Sequence, residues 1–298
     1  MSNYFHLATA GMAFAVFASA ASAQDAVIDS FYQGQVFELR AGIVAPQNTL
    51  QDTLTVRNNR TTQTQTTDVL DFGVGPRLDI GYSRPWGNNA RMVLNLSDAI
   101  STGNTALQFG RPREAFPGTF DDDHGLPRNG SGDVATVTQT AKLTIGREWT
   151  LGDQWRVSAG LQAANASQDM SANIYRSNGN IARRLETVSD NTMYGVFGGA
   201  SYYTPINDTY ALRISGTVGV LSNDFTYNYT NYNRRDVLQQ DVSGSSSGTA
   251  YSAQIAARIE RPVTDHSMMT FEVGYEGLAG IGNGIDTFLD VDGTGTEP

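Results

Sequence analysis

From Leu70 to Tyr82 the chain alternates strictly. One side reads Leu70, Phe72, Val74, Pro76, Leu78, Ile80 and Tyr82, and the other reads Asp71, Gly73, Gly75, Arg77, Asp79 and Gly81. A two-residue period puts successive side chains on opposite faces of a β-strand, whereas a helix needs a period near 3.6. The same alternation recurs at 210–220, where Tyr210, Leu212, Ile214, Val218 and Val220 oppose Arg213, Ser215, Thr217 and Gly219. It recurs again at 249–260 and 269–276, and in shorter form near 36–45, 90–98, 135–149, 155–164 and 192–203. About nine strands are therefore predicted, most close to the 9–11 residues of a tilted membrane-crossing strand.

The connections constrain the fold further. "SRPWGNN" (83–89), "TLGDQ" (150–154), "TPIND" (204–208) and "RPVTDHS" (261–267) are short and rich in turn-forming Pro, Gly, Asn and Asp. Between them lie long polar stretches at 46–67, 100–132, 165–190, 222–248 and 281–298. Short and long alternate along the chain. A two-sheet sandwich also has apolar inner faces, but nothing in it calls for long connections at one end only. A bacterial outer-membrane barrel does: short periplasmic turns, long external loops, an apolar outer band and aromatic girdles. The expected fold is an all-β, antiparallel up-and-down transmembrane β-barrel. Tyr82, Trp149 and Tyr203 just before three of the turns, and Tyr210 just after one, are the candidate interface aromatics, since amphipathic rings favour the membrane–water boundary.

The N-terminus agrees with export. Residues 1–23 contain no Asp, Glu, Lys or Arg, an apolar core runs from Leu7 to Phe17, and Ala21-Ser22-Ala23 supplies a small-x-small cleavage pattern. That reads as a signal peptide, too short in its apolar part to span as a helix. It would be followed by a short periplasmic segment at 24–34 and a barrel over 35–298, in the outer membrane of a Gram-negative cell. Starting in the periplasm, the ninth strand ends at the outer surface. Single-chain bacterial barrels use an even strand number, so a tenth, descending strand is expected after residue 281; the alternatives to its absence from this sequence are an irregular closure or a strand hidden in a long connection.

On the predicted inner face stand Glu38, Arg40, Asp71, Arg77, Asp79, Arg91, Lys142, Glu148, Arg156, Arg213, Arg258, Glu260, Glu272 and Glu276. Both signs occur, as a hydrated lumen of paired charges requires. A barrel of about eight strands is filled by side chains, whereas one of 16–18 holds an open channel, so a ten-stranded lumen is narrow. Arg77, Arg156, Arg213 and Arg258 either set selectivity for small solutes, as rings of charge do, or neutralise lumen carboxylates.

Other chemistry is thinly represented. The chain has no cysteine, which removes disulfides and thiolate metal sites, and its net charge of −10 lacks the basic footprint nucleic acid needs. His124 follows Asp121-Asp122-Asp123 in a long connection, but no facing acidic pair completes an acid–base set. No enzyme and no cofactor are assigned. Asp290-x-Asp292-x-Thr294-Gly295 opens like an EF-hand loop, yet the chain ends at its ninth position, before the bidentate Glu of position 12. Asp290 and Asp292 are thus weak calcium candidates. "FTYNYTNYNRR" (225–235) concentrates the Tyr and Asn favoured in recognition surfaces, which makes surface binding or adhesion the rival to a pore.

"VLDFGVGPRLDIGYSRPWGNN" (69–89) resembles the glycine-proline-arginine strand and turn of Legionella-type pore-forming major outer-membrane proteins. "NTMYGVFGGASYYTPINDTYALRISGTVGVLSND" (191–224) and "SMMTFEVGYEGLAGIGNGIDTF" (267–288) resemble a related envelope-barrel family. The resemblance implies an outer-membrane location and pore formation, with no catalytic residue. The implied partners are outer-membrane lipid, lipopolysaccharide, the barrel-assembly machinery, and small solutes or surface ligands.

Overall fold

The computed structural model describes residues 7–19, 34–48, 53–58, 61–66, 73–109 and 130–282, apart from turn positions 88, 153, 177, 208, 265 and 266. Its strands are β1 (Leu7–Ser19), β2 (Val36–Asn48), β3 (Thr53–Asn58), β4 (Thr61–Thr66), β5 (Gly75–Pro85), β6 (Ala90–Phe109), β7 (Gly130–Leu151), β8 (Trp155–Arg176), β9 (Ile181–Pro205), β10 (Ala211–Asn233), β11 (Leu238–Thr264) and β12 (Ser267–Ala279). Ten of them close into a barrel in the order β1-β12-β11-β10-β9-β8-β7-β6-β5-β2, every pairing antiparallel. β3 and β4 make a separate hairpin within the connection from β2 to β5. The chain is an all-β, antiparallel up-and-down barrel, with the nine predicted strands as β2 and β5 to β12.

The tenth position, expected to be taken by a C-terminal strand, is occupied by β1. β2 and β12 run in the same direction, so they cannot pair antiparallel with each other. β1 lies between them, antiparallel to both, from Thr9 opposite Glu276 to Ser19 opposite Val36. The expectation placed the closing strand after residue 281, whereas here the N-terminal apolar run supplies it.

The wall alternates as its sequence does. Outward side chains form an apolar band that includes Leu39, Leu78, Leu96, Leu143, Ile145, Val196 and Val273, with Leu161 62% and Val218 65% exposed. Inward positions carry the polar and small residues. At one end the strands are joined by the four short turns, where Gly87, Asn89 and Gly152 adopt the positive φ those turns require. In "TPIND" the Asn207 side-chain oxygen accepts hydrogen bonds from Thr209 N and Tyr210 N, both at 2.9 Å.

At the other end the strands are longer than alternation suggested. β8, β9, β10 and β11 have 22, 25, 23 and 27 residues, against about 10 needed to cross a bilayer. Most of 165–190 and 222–248, expected as loops, is regular hairpin, turning only near residue 179 and around 234–237. Strand pairing satisfies their backbone groups, and Thr, Ser and Asn are tolerated on both faces because neither need meet lipid. The segments 24–33, 110–129 and 283–298, and with them His124, Asp290 and Asp292, lie outside the described residues.

Two facing glycines fix the wall spacing at the barrel's middle. Gly146 of β7 pairs with Gly160 of β8, and a Cβ added at Gly160 would stand 2.2 Å from the Ile145 carbonyl oxygen and 2.5 Å from Gly146 Cα. Neither atom can yield without moving the sheet. Gly160→Val is expected to destabilise the barrel by about 1–3 kcal/mol, as overpacking does. Heat-modifiable gel migration of the membrane-extracted protein reads this, with a smaller folded fraction than wild type.

Candidate functional site: the charged lumen

The lumen is spanned from side to side by an ion pair. β7 and β12 stand on opposite sides of the ten-strand ring. Lys142 of β7, the only lysine in the chain, reaches across to Glu276 of β12. Lys142 Nζ also donates to Gln254 Oε1 at 3.1 Å, and Arg77 Nη1 of β5 donates to Glu276 Oε2 at 3.2 Å. Three sectors of the wall thus meet at one carboxylate.

Around and below this crossing lie further clusters of paired charge. Arg40 and Arg258 both donate to Glu272, at 2.8 Å and 2.6 Å, and both face Glu38 at 3.0 Å. Arg77 holds Asp79 at 2.9 Å. Glu260, fully buried, lies 3.8 Å from Arg258. Glu148 pairs with Arg213 at 3.0 Å and Arg156 at 3.6 Å. Arg91 donates to Ser83 Oγ and to the Gly34 carbonyl. A cavity of about 200 Å³ runs among these side chains, from Val36 and Arg91 near the short-turn end to Lys142 and Gln162.

All eight lumen candidates face inward, Arg77, Asp79, Arg258, Glu260, Glu272 and Glu276 in the cluster around the crossing and Arg156 and Arg213 in a second one about Glu148. The four arginines each contact carboxylates, which is the neutralising arrangement rather than a ring of charge around a free path. Burying ions this way is tolerable only because each is paired and hydrogen-bonded.

Toward the long-hairpin end the lumen changes character. Ala166, Met193, Leu221, Ala250 and Leu278 form a buried apolar layer, with Ala164 and Ile281 packed against it. After β12 the chain turns inward at Gly280, whose φ of 72° is open to glycine. Asn191 then clasps it: Gly282 N donates to Asn191 Oδ1 at 2.9 Å, and Asn191 Nδ2 donates to the Gly282 carbonyl at 2.7 Å. Asn223 Nδ2 donates to Asn191 Oδ1 at 3.0 Å. The ring of Phe225 faces Gly282 so closely that a Cβ there would lie 2.5 Å from it. This short strap, residues 280–282, thus folds inward over the apolar layer. Sequence reading missed Asn191 and Asn223; the usable signal was parity, since they continue the inward series of Met193 and Leu221.

The aromatic assignments divide. Tyr82, Trp149 and Tyr210 share the outward parity of the apolar band, with the Arg147 guanidinium 5.5 Å from the Trp149 ring and Arg261 5.5 Å from Tyr210. Tyr203 does not belong with them: it points inward and is 7% exposed. The outward ring at that level is its neighbour Tyr202, packed 5.0 Å from Trp155. Proximity to a turn had overridden the two-residue period. The same correction applies to "FTYNYTNYNRR", where Phe225, Tyr227 and Tyr229 alternate inward and Tyr229 is fully buried. Tyr232 faces outward beneath the Arg184 guanidinium, 4.5 Å from its ring.

The fold and lumen define a class, an up-and-down β-barrel with an apolar exterior and an ion-paired interior. No family model matches the chain, and no curated protein matches it in sequence. Among solved structures it is similar to the outer membrane protease OmpT from Escherichia coli (9% identity, TM-score 0.34, 93% of this chain and 94% of that one covered). It is also similar to the Pseudomonas putida toluene transporter TodX (10% identity, TM-score 0.30, 93% and 89% covered) and to a Pseudomonas aeruginosa FadL homologue (8% identity, TM-score 0.21, 92% and 89% covered). These TM-scores lie below 0.5, so the class rests on the chain's own register and polarity.

Removing one member of the crossing pair leaves its partner unmatched. Lys142→Met leaves Glu276 with Arg77 alone, and the expected cost is about 3 kcal/mol, the low end for a broken buried pair. Urea unfolding in lipid vesicles, followed by tryptophan fluorescence, measures it. The double change Lys142→Met/Glu276→Met is expected to recover most of the loss.

Proposed function

We propose that the protein is an integral outer-membrane barrel whose lumen is closed at rest, and that it acts as a wall-anchored support for its external hairpins rather than as an open pore. The observation that carries this reading is the Lys142–Glu276 pair, which crosses the lumen from β7 to β12. Its support comes also from the apolar band on the outer face, which water would disfavour and lipid accepts. The apolar layer and the strap at Gly280–Gly282 add a second barrier in series. No catalytic role is proposed. Lipid, lipopolysaccharide and the assembly machinery are the partners this reading requires.

A gated pore is the second reading, favoured by one feature: the strap's visible clasp is a small set of amide hydrogen bonds from Asn191 and Asn223. Planar-bilayer recording separates the two. Wild type is expected to be silent, and so is Asn191→Ala/Asn223→Ala, because the ion-paired layer below still blocks the lumen. Steady single-channel steps from wild type would overturn the closed-lumen reading, and steps from the double variant alone would establish the gate.

Export is proposed to proceed by cleavage after Ala23. The same residues cannot be both a removed leader and the wall strand β1. Amino-terminal sequencing of the membrane-extracted protein is expected to begin at Gln24. A start at or near Met1 would place Leu7–Ser19 in the wall.

A further inference from the structure

Five lumen arginines, Arg40, Arg77, Arg156, Arg213 and Arg258, are paired with carboxylates, yet on the outer wall Arg84, Arg147 and Arg261 are not. Arg84 of β5 and Arg147 of β7 are both exposed, and among the described residues no carboxylate pairs with either. They share one row of the sheet, for Arg84 lies opposite Met92 of β6 and Met92 lies opposite Arg147. Two inter-strand steps separate them, about 10 Å between their Cα atoms. Each guanidinium on its flexible stem covers more than half that distance, so both can close on one small anion over Met92. Arg147 is already oriented: its Nη2 donates to the Trp86 carbonyl at 3.4 Å, and its guanidinium lies 5.5 Å from the Trp149 ring.

The surroundings specify the anion. Directly beyond this row, away from the short turns, the same strands present Tyr82, Leu94 and Ile145, then Ile80, Leu96 and Leu143. An apolar track therefore leads from the two cations along the barrel wall. A free anion has no use for such a track, but a lipid does, with its phosphate at the arginines and an acyl chain on the aliphatic side chains. At the opposite end the outward carboxylates pair with amides instead, Asp98 with Gln139 and Asp190 with Asn165, both at 3.1 Å. The carboxylate-free guanidiniums of the wall thus lie near the short turns, whereas the outward Arg184 at the long-hairpin end is paired with Glu186 and Asp236.

We infer that Arg84 and Arg147 form a binding site for the phosphate headgroup of an anionic phospholipid in the periplasmic leaflet. This rests on the membrane reading above. Two guanidiniums on one phosphodiester make charge-assisted hydrogen bonds, the strong kind, and an anionic lipid brings no ammonium group to compete for them.

Native mass spectrometry of the full chain in non-ionic detergent, with added dioleoylphosphatidylglycerol, tests the site. Wild type is expected to retain the lipid about tenfold better than Arg84→Gln/Arg147→Gln, in line with losing two charge-assisted contacts. The same lipid should bind Arg234→Gln/Arg235→Gln, altered in the β10–β11 turn, as well as wild type. Inorganic phosphate at millimolar concentration should not displace it. Equal retention by wild type and the Arg84/Arg147 variant, with both migrating as heat-modifiable folded barrels, would sink the site and leave the membrane reading standing. So would displacement by inorganic phosphate, which would mark a plain anion site. A wild-type chain that stays soluble without detergent would overturn both.

Discussion

The constraint on which the rest depends is direction. A sheet in lipid must leave no open edge, because no water is present to satisfy free backbone N–H and C=O groups. β2 and β12 both run from the short-turn end toward the long-hairpin end, so a ring built of antiparallel pairs needs one descending strand between them. In the unprocessed chain β1 meets that need with a continuous ladder to each neighbour, and if the leader is removed the same position has to be taken by another descending strand. Closure at ten strands then sets the bore, and the bore sets what can meet across it. Lys142 and Glu276 touch because ten strands bring opposite walls within reach of two side chains. A porin-sized ring would leave the same residues facing water.

This inverts the usual relation between core and surface. In a soluble domain apolar side chains point inward, and their removal from water drives folding. Here the apolar side chains are the exterior, and the interior is held by charge. Charged interiors are weak sources of net stability, but they are unforgiving of error. A slip of β7 by one residue against its neighbours would turn Lys142 and Glu148 outward into the apolar band. The ion network therefore enforces register, while the band lowers the energy of the inserted state. The two act on alternate residues of the same strands, which is why a chain with 17% charged residues can build a lipid-facing wall.

How much of this could be read in advance follows from the same alternation. Arg77 and Asp79 against Leu78 and Ile80 identify the strand and its two faces without any tertiary information, and each of the eight lumen candidates faces as its parity requires. What parity cannot supply is partnership. Nothing in the sequence near Lys142 points to Glu276, 134 residues away, because that contact depends on the number of strands in the ring. Nearness to a turn is a weaker guide than parity: Tyr203 shares the parity of Ser201, opposite to Tyr194 and Val196, and is buried with it. The hairpins at 165–190 and 222–248 were hidden for a different reason. Composition distinguishes lipid-facing strands from water-facing loops, but a strand hydrated on its outer face, such as that carrying Thr226, Asn228 and Thr230, has the composition of a loop.

The outer face completes the argument, because its partners change with height while its alternation does not. Near the short turns the outward polar groups are guanidiniums set against rings, Arg147 with Trp149 and Arg261 with Tyr210. A ring satisfies a guanidinium's face and leaves its N–H edge available to another acceptor. Beyond the aliphatic band the outward polar groups are carboxylates set against amides, as in Asp98–Gln139, Asp190–Asn165 and Asp241–Asn228. An amide N–H occupies a carboxylate oxygen without cancelling its charge. Each end thus keeps charge while satisfying part of its hydrogen bonding, and at the long-hairpin end Arg184, set over Tyr232, stands beside the carboxylates. A wall that only had to separate water from lipid would need no charge at either end. Retained charge at each boundary is what a wall needs in order to hold its height between an apolar band and water.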